Sequence, residues 1–291
     1  MNSCQLYAKC TESVQHVSSH RCNSYYSRRI NESSSADEHP QQQTTPSFEN
    51  EEQDQFRLSI DTGKLYDEHI RLSLGQRAAL SIGSAFMALA DPYRDDMVAT
   101  FGETTGHLAL QKMHRKMAAH PEGSQVLLER PRISSETIDI EALGRLPENT
   151  FGYAYYRFLS DNGVSPDTRK TVRFVDDAEL AYVMQRYREV HDLVHTLLGM
   201  PTNMLGEVLV KWVEAVQTDL PMCWLGGLFG PVRLKTKRAR EFYVREGLRW
   251  ALRTGHEAED LLCVYYERHF EEDIDELRAR LRVPPLPNGM P

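Results

Sequence analysis

The sequence predicts an all-α fold, a single helical domain with a metal site on a central helix hairpin. Three observations point there. From Leu58 onward apolar residues recur with helical period, and strand-like alternation is rare. The stretch from Asp176 to Pro201 carries both the start and the stop signals of a long helix. Histidines and carboxylates gather at the end of that helix and the beginning of the next. The 291 residues, 41% of them hydrophobic and 26% charged, suffice for a substantial core.

The N-terminus stands apart from that body. Residues 1–30 are Ser-rich, with Lys9, Arg21, Arg28 and Arg29 against Glu12 alone, and read as an organellar targeting peptide. The same composition also fits an ordinary disordered tail. Residues 31–56 hold seven acids, no lysine or arginine, and the runs Ser33–Ser35 and Gln41–Gln43. They read as a disordered acidic and polar linker, because they cannot bury enough apolar surface to order themselves. The all-α domain is expected over residues 57–287. No apolar run reaches the roughly 20 residues a spanning helix needs. Five irregularly spaced cysteines exclude a disulfide scaffold and suit a reducing compartment. The formal charge of -8 argues against a nucleic-acid partner.

Within the body, Ser73 to Ala90 combines Leu74, Leu80, Ile82, Phe86 and Leu89 with glycine, alanine and serine, and Asp91-Pro92 ends it. Such density of small residues suits close helix packing ahead of an apolar groove for a lipid tail, and serves internal packing and a homodimer contact equally well. Arg94 to Met117 reads as a helical stretch interrupted at Gly102-Glu103-Thr104-Thr105-Gly106. Arg130–Ile133, Leu146–Asn149 and Asn162–Asp167 read as loops. The long central helix then starts at Asp176-Asp177, whose carboxylates suit an N-cap. It runs through Leu180, Val183, Met184, Tyr187, Val190, Val194, Leu197 and Leu198 to the stop Gly199-Met200-Pro201. Thr202 or Asn203 can cap the next helix, which reaches about Asp219. So short a connection predicts an antiparallel hairpin.

His191 and His195 lie about 40° apart on one face of the central helix, with Asp192 on its flank. Two imidazoles one turn apart can share a divalent cation. Twelve residues after His195, Glu207 comes back toward them on the return helix. The set His191, Asp192, His195 and Glu207 therefore suits a mixed nitrogen and oxygen site for Zn²⁺, with iron or manganese tolerated by the same donors. The same residues also suit satisfied core histidines and surface carboxylates, and spacing alone leaves both readings open. Zinc proteases place a glutamate after the first histidine, whereas Asp192 stands here, so a protease is disfavoured. Asp192 can be a weak ligand or a proton shuttle.

His191-Asp192-Leu193-Val194-His195, eleven further residues and Glu207 resemble the HDxxH-x11-E signature of the mitochondrial ubiquinone (coenzyme Q) biosynthesis protein 4 family. The likeness extends through Gly102–Gly106, Arg130–Ile133, Val172–Asp177 and Met204–Glu207, covering about residues 65 to 287. It implies an all-α fold and zinc on His191, Asp192, His195 and Glu207. It also implies peripheral attachment to the matrix face of the mitochondrial inner membrane and partners in a multi-protein ubiquinone assembly complex. The implied activity is C1 decarboxylation of 4-hydroxy-3-methoxy-5-polyprenylbenzoate. The product would be 2-methoxy-6-polyprenylphenol or, in an oxidative version, its C1-hydroxylated counterpart. The alternative is a non-catalytic lipid-binding scaffold with structural zinc.

Four further features carry expectations. Leu220–Gly230 is apolar but short, suiting either an interfacial segment with Trp224 near lipid head groups or the core. Arg233, Lys235, Lys237, Arg238 and Arg240 follow it, suiting either anionic lipid or a solvated face. Glu103 can support the metal pocket or, more simply, cap the next helix. Arg130, Arg132 and Arg173 can clamp a carboxylate or pair with nearby acids, while His107, His114, His256 and His269 lack ligand spacing.

Overall fold

The computed structural model describes residues 64–91 and 94–290, and everything said of structure concerns these. The expected targeting peptide and linker, with Cys4, Cys10 and Cys22, lie outside them. The described residues form helices and turns, with one isolated β-bridge between Thr150 and Asp273 and no strand, so the fold is all-α. No described helix is long and apolar enough to cross a membrane.

The order is α1 (Leu74–Ala90), α2 (Asp95–Thr105), α3 (His107–Ala119), α4 (Pro121–Glu129), the short α5 (Ile140–Leu143) and α6 (Phe151–Asn162). Then come α7 (Ala178–Leu198), α8 (Met204–Thr218), α9 (Pro221–Phe229), α10 (Lys237–Phe242), a π-turn at Tyr243–Gly247, α11 (Leu248–Glu257) and α12 (Ile274–Arg280). The stretch expected to break across 102–106 is helical to Thr105 and turns only at Gly106. Helix α6 starts on a Thr150 cap and stops at Gly163.

Helix α7 is the axis of the fold. It packs against α3, α6 and α8, and every residue from Leu180 to Leu198 is buried. Its apolar residues form the core, each fully buried leucine such as Leu193 or Leu197 contributing roughly 1.5–3 kcal/mol by leaving water. A buried helix must also satisfy its charges. Arg186 pairs with Glu267 at 2.6 Å, Arg188 with Glu103 at 2.6 Å, and Glu189 with Arg132 at 2.7 Å. Asp177 caps the helix, accepting from the Leu180 N–H at 3.0 Å, whereas Asp176 turns away to His69 and Arg77.

Glu103 neither caps a helix nor reaches the candidate metal site. It lies inside α2, where Oε1 takes Arg188 and Oε2 accepts the backbone N–H groups of Arg173 and Phe174. It is thereby a rivet between α2, α7 and the loop before α7. Arg130, Arg132 and Arg173 are each spoken for by an acid, namely Glu179, Glu189 and Glu68. His269 sits between Glu122 and Glu272.

Helix α9 is two-faced. Met222, Cys223 and Gly227 are buried, and Trp224 packs edge-on against Trp212 at 5.8 Å between ring centroids. Leu228 and Phe229 are exposed. Helix α1 is similarly two-faced: it packs on α2 and buries Ser84, while Leu74, Ile82 and Phe86 are exposed.

Candidate metal centre

The site is built by the way α7 stops. Gly199 takes a left-handed φ of 66°, which lets the Met200 N–H close back on the His195 carbonyl at 2.9 Å. The turn tucks Met200 under the helix end, where its own carbonyl faces the His195 ring. Asn203, not Thr202, caps α8 by accepting from the Leu205 and Gly206 N–H groups. A Cβ at position 206 would collide with the Pro201 carbonyl, so this tight connection requires glycine. The next residue is Glu207.

The two helices run antiparallel, as the contacts along them show. His195 meets Glu207, His191 meets Glu207 and Glu214, and Tyr187 meets Lys211 and Glu214. The Nε2 atoms of His191 and His195 are 3.2 Å apart. Glu207 brings Oε2 to 3.6 Å from the first and Oε1 to 3.5 Å from the second.

The other ring nitrogens fix what those Nε2 atoms are. His195 Nδ1 faces the Met200 carbonyl at 3.2 Å, and a carbonyl only accepts, so Nδ1 carries the proton. His191 Nδ1 donates to Glu214 Oε1 at 2.6 Å. With both rings neutral, both Nε2 atoms therefore present lone pairs to each other and to a carboxylate. Three lone-pair donors facing one point call for a cation between them, which is a proton on His191 in the metal-free protein or a metal ion in the loaded one. Two ligands at zinc–nitrogen distance on a tetrahedron stand about 3.3 Å apart, close to the separations seen. His191, His195 and Glu207 fit zinc on donor type, spacing and orientation.

Asp192 is not brought into this group. One ligand atom each from His191, His195 and Glu207 lie within 4.8 Å of one another, and Asp192 is no part of that set. Its carboxylate instead takes the guanidinium of Arg169, from the loop before α7. Phe158 on α6 covers His195, with ring centroids 5.8 Å apart. Glu207 is the partly open side of the cluster, its side chain 36% exposed, against 1% for His195.

Behind His191 lies a network that sequence reasoning missed. Glu214 Oε2 accepts from Tyr187 at 2.7 Å and from Lys211 at 2.7 Å, and Cys223 Sγ lies 3.1 Å from the Tyr187 hydroxyl. Burial opposes the Glu214 charge, yet Lys211 and His191 hold its carboxyl far below the usual range. Burial also opposes charge on Glu207, but the two histidines keep it well below normal. His191 is raised: burial and Lys211 lower it, and Glu214 and Glu207 outweigh them. Burial pushes the Cys223 thiol up to about 12, so it stays protonated. One sequence signal was available. Glu207, Lys211 and Glu214 recur at helical spacing on one face of an otherwise apolar helix.

The family model described as coenzyme Q (ubiquinone) biosynthesis protein Coq4 matches residues 66–287. Ubiquinone biosynthesis protein COQ4 homolog, mitochondrial, from Danio rerio is 57% identical over 226 residues, covering 77% of this chain and 83% of that protein. Its counterpart from Homo sapiens is 54% identical over 230 residues, covering 78% and 86%. A solved structure from Nostoc punctiforme, provisionally described as a ubiquinone biosynthesis protein, superposes with a TM-score of 0.57 at 22% identity. It covers 72% of this chain and 99% of that one, and shares the fold.

Proposed function

Because this chain belongs to the coenzyme Q (ubiquinone) biosynthesis protein Coq4 family, with a role in ubiquinone biosynthesis in the mitochondrion, we propose that it is a metal-dependent carboxy-lyase of that pathway. The substrate is 4-hydroxy-3-methoxy-5-polyprenylbenzoate, and the C1 carboxylate is lost. The product is 2-methoxy-6-polyprenylphenol or its C1-hydroxylated counterpart. Other ubiquinone biosynthesis proteins are its partners in a complex on the matrix side of the inner membrane.

The observation that carries this reading is the three-residue ligand set. Structural zinc sites are closed by four protein ligands, whereas catalytic ones hold three and keep a position for substrate. His191, His195 and Glu207 converge, and Asp192 is engaged by Arg169. Sulfur-free donors argue the same way. Both points favour catalysis over a non-catalytic scaffold with structural zinc.

Zinc held there supplies a Lewis acid for the charge that builds as CO₂ leaves, and an oxidative version would need dioxygen with iron or manganese in the same donors. The chain does the rest. Glu214 and the Met200 carbonyl lock both imidazoles in the tautomer that ligates. Phe158 shields His195 from water. In the non-oxidative form the C1–carboxylate bond breaks and its electron pair stays on C1, which then takes a proton. Asp192, within the site but outside the ligand set, relays that proton.

The polyprenyl tail calls for a lipid surface, and the exposed side of α1 supports one. Ile82 and Phe86 are 74% and 71% exposed. Arg233 donates to the carbonyls of Leu89 and Ala90, which ties the start of the basic stretch 233–240 to the end of α1. An apolar face on a helix whose end meets that stretch, in an acidic protein, suits an anionic bilayer.

The test is to load the purified chain with metal and supply the prenylated 4-hydroxy-3-methoxybenzoate with and without dioxygen. CO₂ release that His195→Ala abolishes is the expected result. Its absence from both the metal-loaded chain and the assembled complex would overturn the reading in favour of the scaffold.

A further inference from the structure

We propose that Arg169 and Tyr155 form a subsite for the carboxylate of an aromatic acid, set beside the metal ligands. Among the described residues, three buried side-chain polar atoms lack a hydrogen-bond partner: Tyr155 Oη, Arg169 Nε and Arg186 Nε. Two of the three belong to one place.

Tyr155 is on α6, wholly buried. It stands one turn before Phe158, whose ring covers His195. Asn162 at the end of α6 accepts from Thr202 just past the end of α7, so the two helices run in the same direction, and Asp192, one turn before His195, comes to the neighbourhood of Tyr155. Arg169 reaches the same aspartate through Nη2 from the loop side. The charges of Asp192 and Arg169 act on the Tyr155 phenol, which burial already pushes far above its ordinary value, and Glu207 acts on Arg169. Arg169 thus pairs with the same Asp192 that α7 brings toward Tyr155.

Both orphan groups are donors, an N–H and an O–H, and a buried donor without an acceptor destabilises the fold. What they lack is an oxygen acceptor. The charges say which kind. With neutral imidazoles, Arg169 and Lys211 against Asp192, Glu207 and Glu214 leave the site one negative charge in excess. A divalent metal makes it one positive charge in excess, so the loaded site favours a monoanion and the metal-free site repels one. The approach is from the side where Arg169 and Glu207 reach solvent, their side chains 31% and 36% exposed. A carboxylate there accepts from both donors without displacing Asp192. Only the choice of acid rests on the lyase reading; the unpaired donors do not.

The experiment titrates the zinc-loaded full chain with 4-hydroxy-3-methoxybenzoate and with 2-methoxyphenol, which lacks the carboxylate. The acid is expected to bind at least about tenfold more tightly, an advantage lost when zinc is removed. Tyr155→Phe and Arg169→Lys should each weaken acid binding roughly tenfold, leaving phenol binding and zinc content unchanged. The melting temperature of Tyr155→Phe should not fall, because its hydroxyl has no internal partner to lose. Equal affinity for acid and phenol, or acid binding indifferent to both variants, overturns the subsite. A lowered melting temperature with unchanged acid binding also overturns it, by assigning the hydroxyl to folding. Acid binding that depends on Tyr155, without CO₂ release from either the metal-loaded chain or the assembled complex, keeps the subsite and sinks the lyase. CO₂ release indifferent to both variants does the reverse.

Discussion

Glu214 accepts the Nδ1 proton of His191 at 2.6 Å, from two turns beyond Glu207 on the same helix. One helix therefore supplies a candidate metal ligand and the carboxylate that orients the ring of another. Removing such an orienting partner typically costs about 10–100-fold in metal affinity. Glu214→Gln should show a loss of that size in a competition titration with a zinc chelator. Because the substitution strips Lys211 of its counter-ion, the double variant Glu214→Gln with Lys211→Met is the companion measurement. It should bind zinc as weakly while recovering stability. Unchanged affinity in both would mean that the ring is held by packing alone.

Asp192 and Arg169 make the opposite prediction for the fourth residue of the signature. A carboxylate engaged by a guanidinium and outside the ligand cluster is not expected to bind the metal. Asp192→Asn should keep one zinc per chain with affinity within a few-fold, and lose turnover by roughly 10²–10⁴ if it moves the proton. His195→Ala should lose the zinc. Metal analysis of the two purified variants decides between ligand and shuttle, because a ligating Asp192 would lose metal on substitution too.

The hairpin was legible because α7 carries its own punctuation. Asp177 at its start, Gly199 at its stop and Asn203 at the next cap act through neighbours two to five residues away. Local spacing also put His191, His195 and Glu207 in reach of one another. Asp192 marks the limit of the same reasoning: helical spacing gives its angle but says nothing of Arg169, which arrives from a loop 23 residues earlier. Glu103 was beyond local reasoning as well. Its partner Arg188 is 85 residues away, and nothing in its own neighbourhood announces a buried ion pair.

That pair carries a stability prediction. Glu103 and Arg188 are both almost wholly buried, and Glu103 also satisfies two backbone N–H groups. Breaking a buried pair by removing one partner costs about 3–5 kcal/mol, because the other charge stays buried and uncompensated. Glu103→Ala should lower the denaturant midpoint accordingly, with zinc stoichiometry unchanged in the fraction that remains folded. A loss below about 1 kcal/mol would place the pair among ordinary surface bridges.

The raised pKa of His191 sets a pH dependence with a definite sign. Burial and Lys211 oppose its charge, but Glu214 and Glu207 prevail, so the folded value exceeds the unfolded value of about 6.5. In the metal-free protein the resulting stability is fully present below about pH 6.5 and is lost as pH rises through the folded value. Zinc requires the neutral ring, so its affinity runs the other way, falling about tenfold per pH unit below that value when one proton is displaced. Zinc titrations across this range should show the fall, and Glu214→Gln should move it to lower pH. An affinity flat in pH would mean that His191 does not ligate.

The exposed face of α1 should hold the protein on lipid. Ile82 and Phe86 project outward one turn apart, and Arg233 ties the end of the helix to the basic stretch that follows α9. A bilayer surface rich in anionic lipid gains about 1 kcal/mol for each nearby cation. Burial of the two side chains adds roughly 1.5–3 kcal/mol each at most. Replacing both with glutamate should therefore abolish co-sedimentation with anionic vesicles, while zinc content and melting temperature remain those of the parent. Lys235→Gln with Lys237→Gln should weaken the same binding by roughly thirtyfold and reduce its salt sensitivity. If the glutamate variant still sediments but a self-associated parent becomes monomeric, the face is a contact between two copies of the chain and the lipid reading fails.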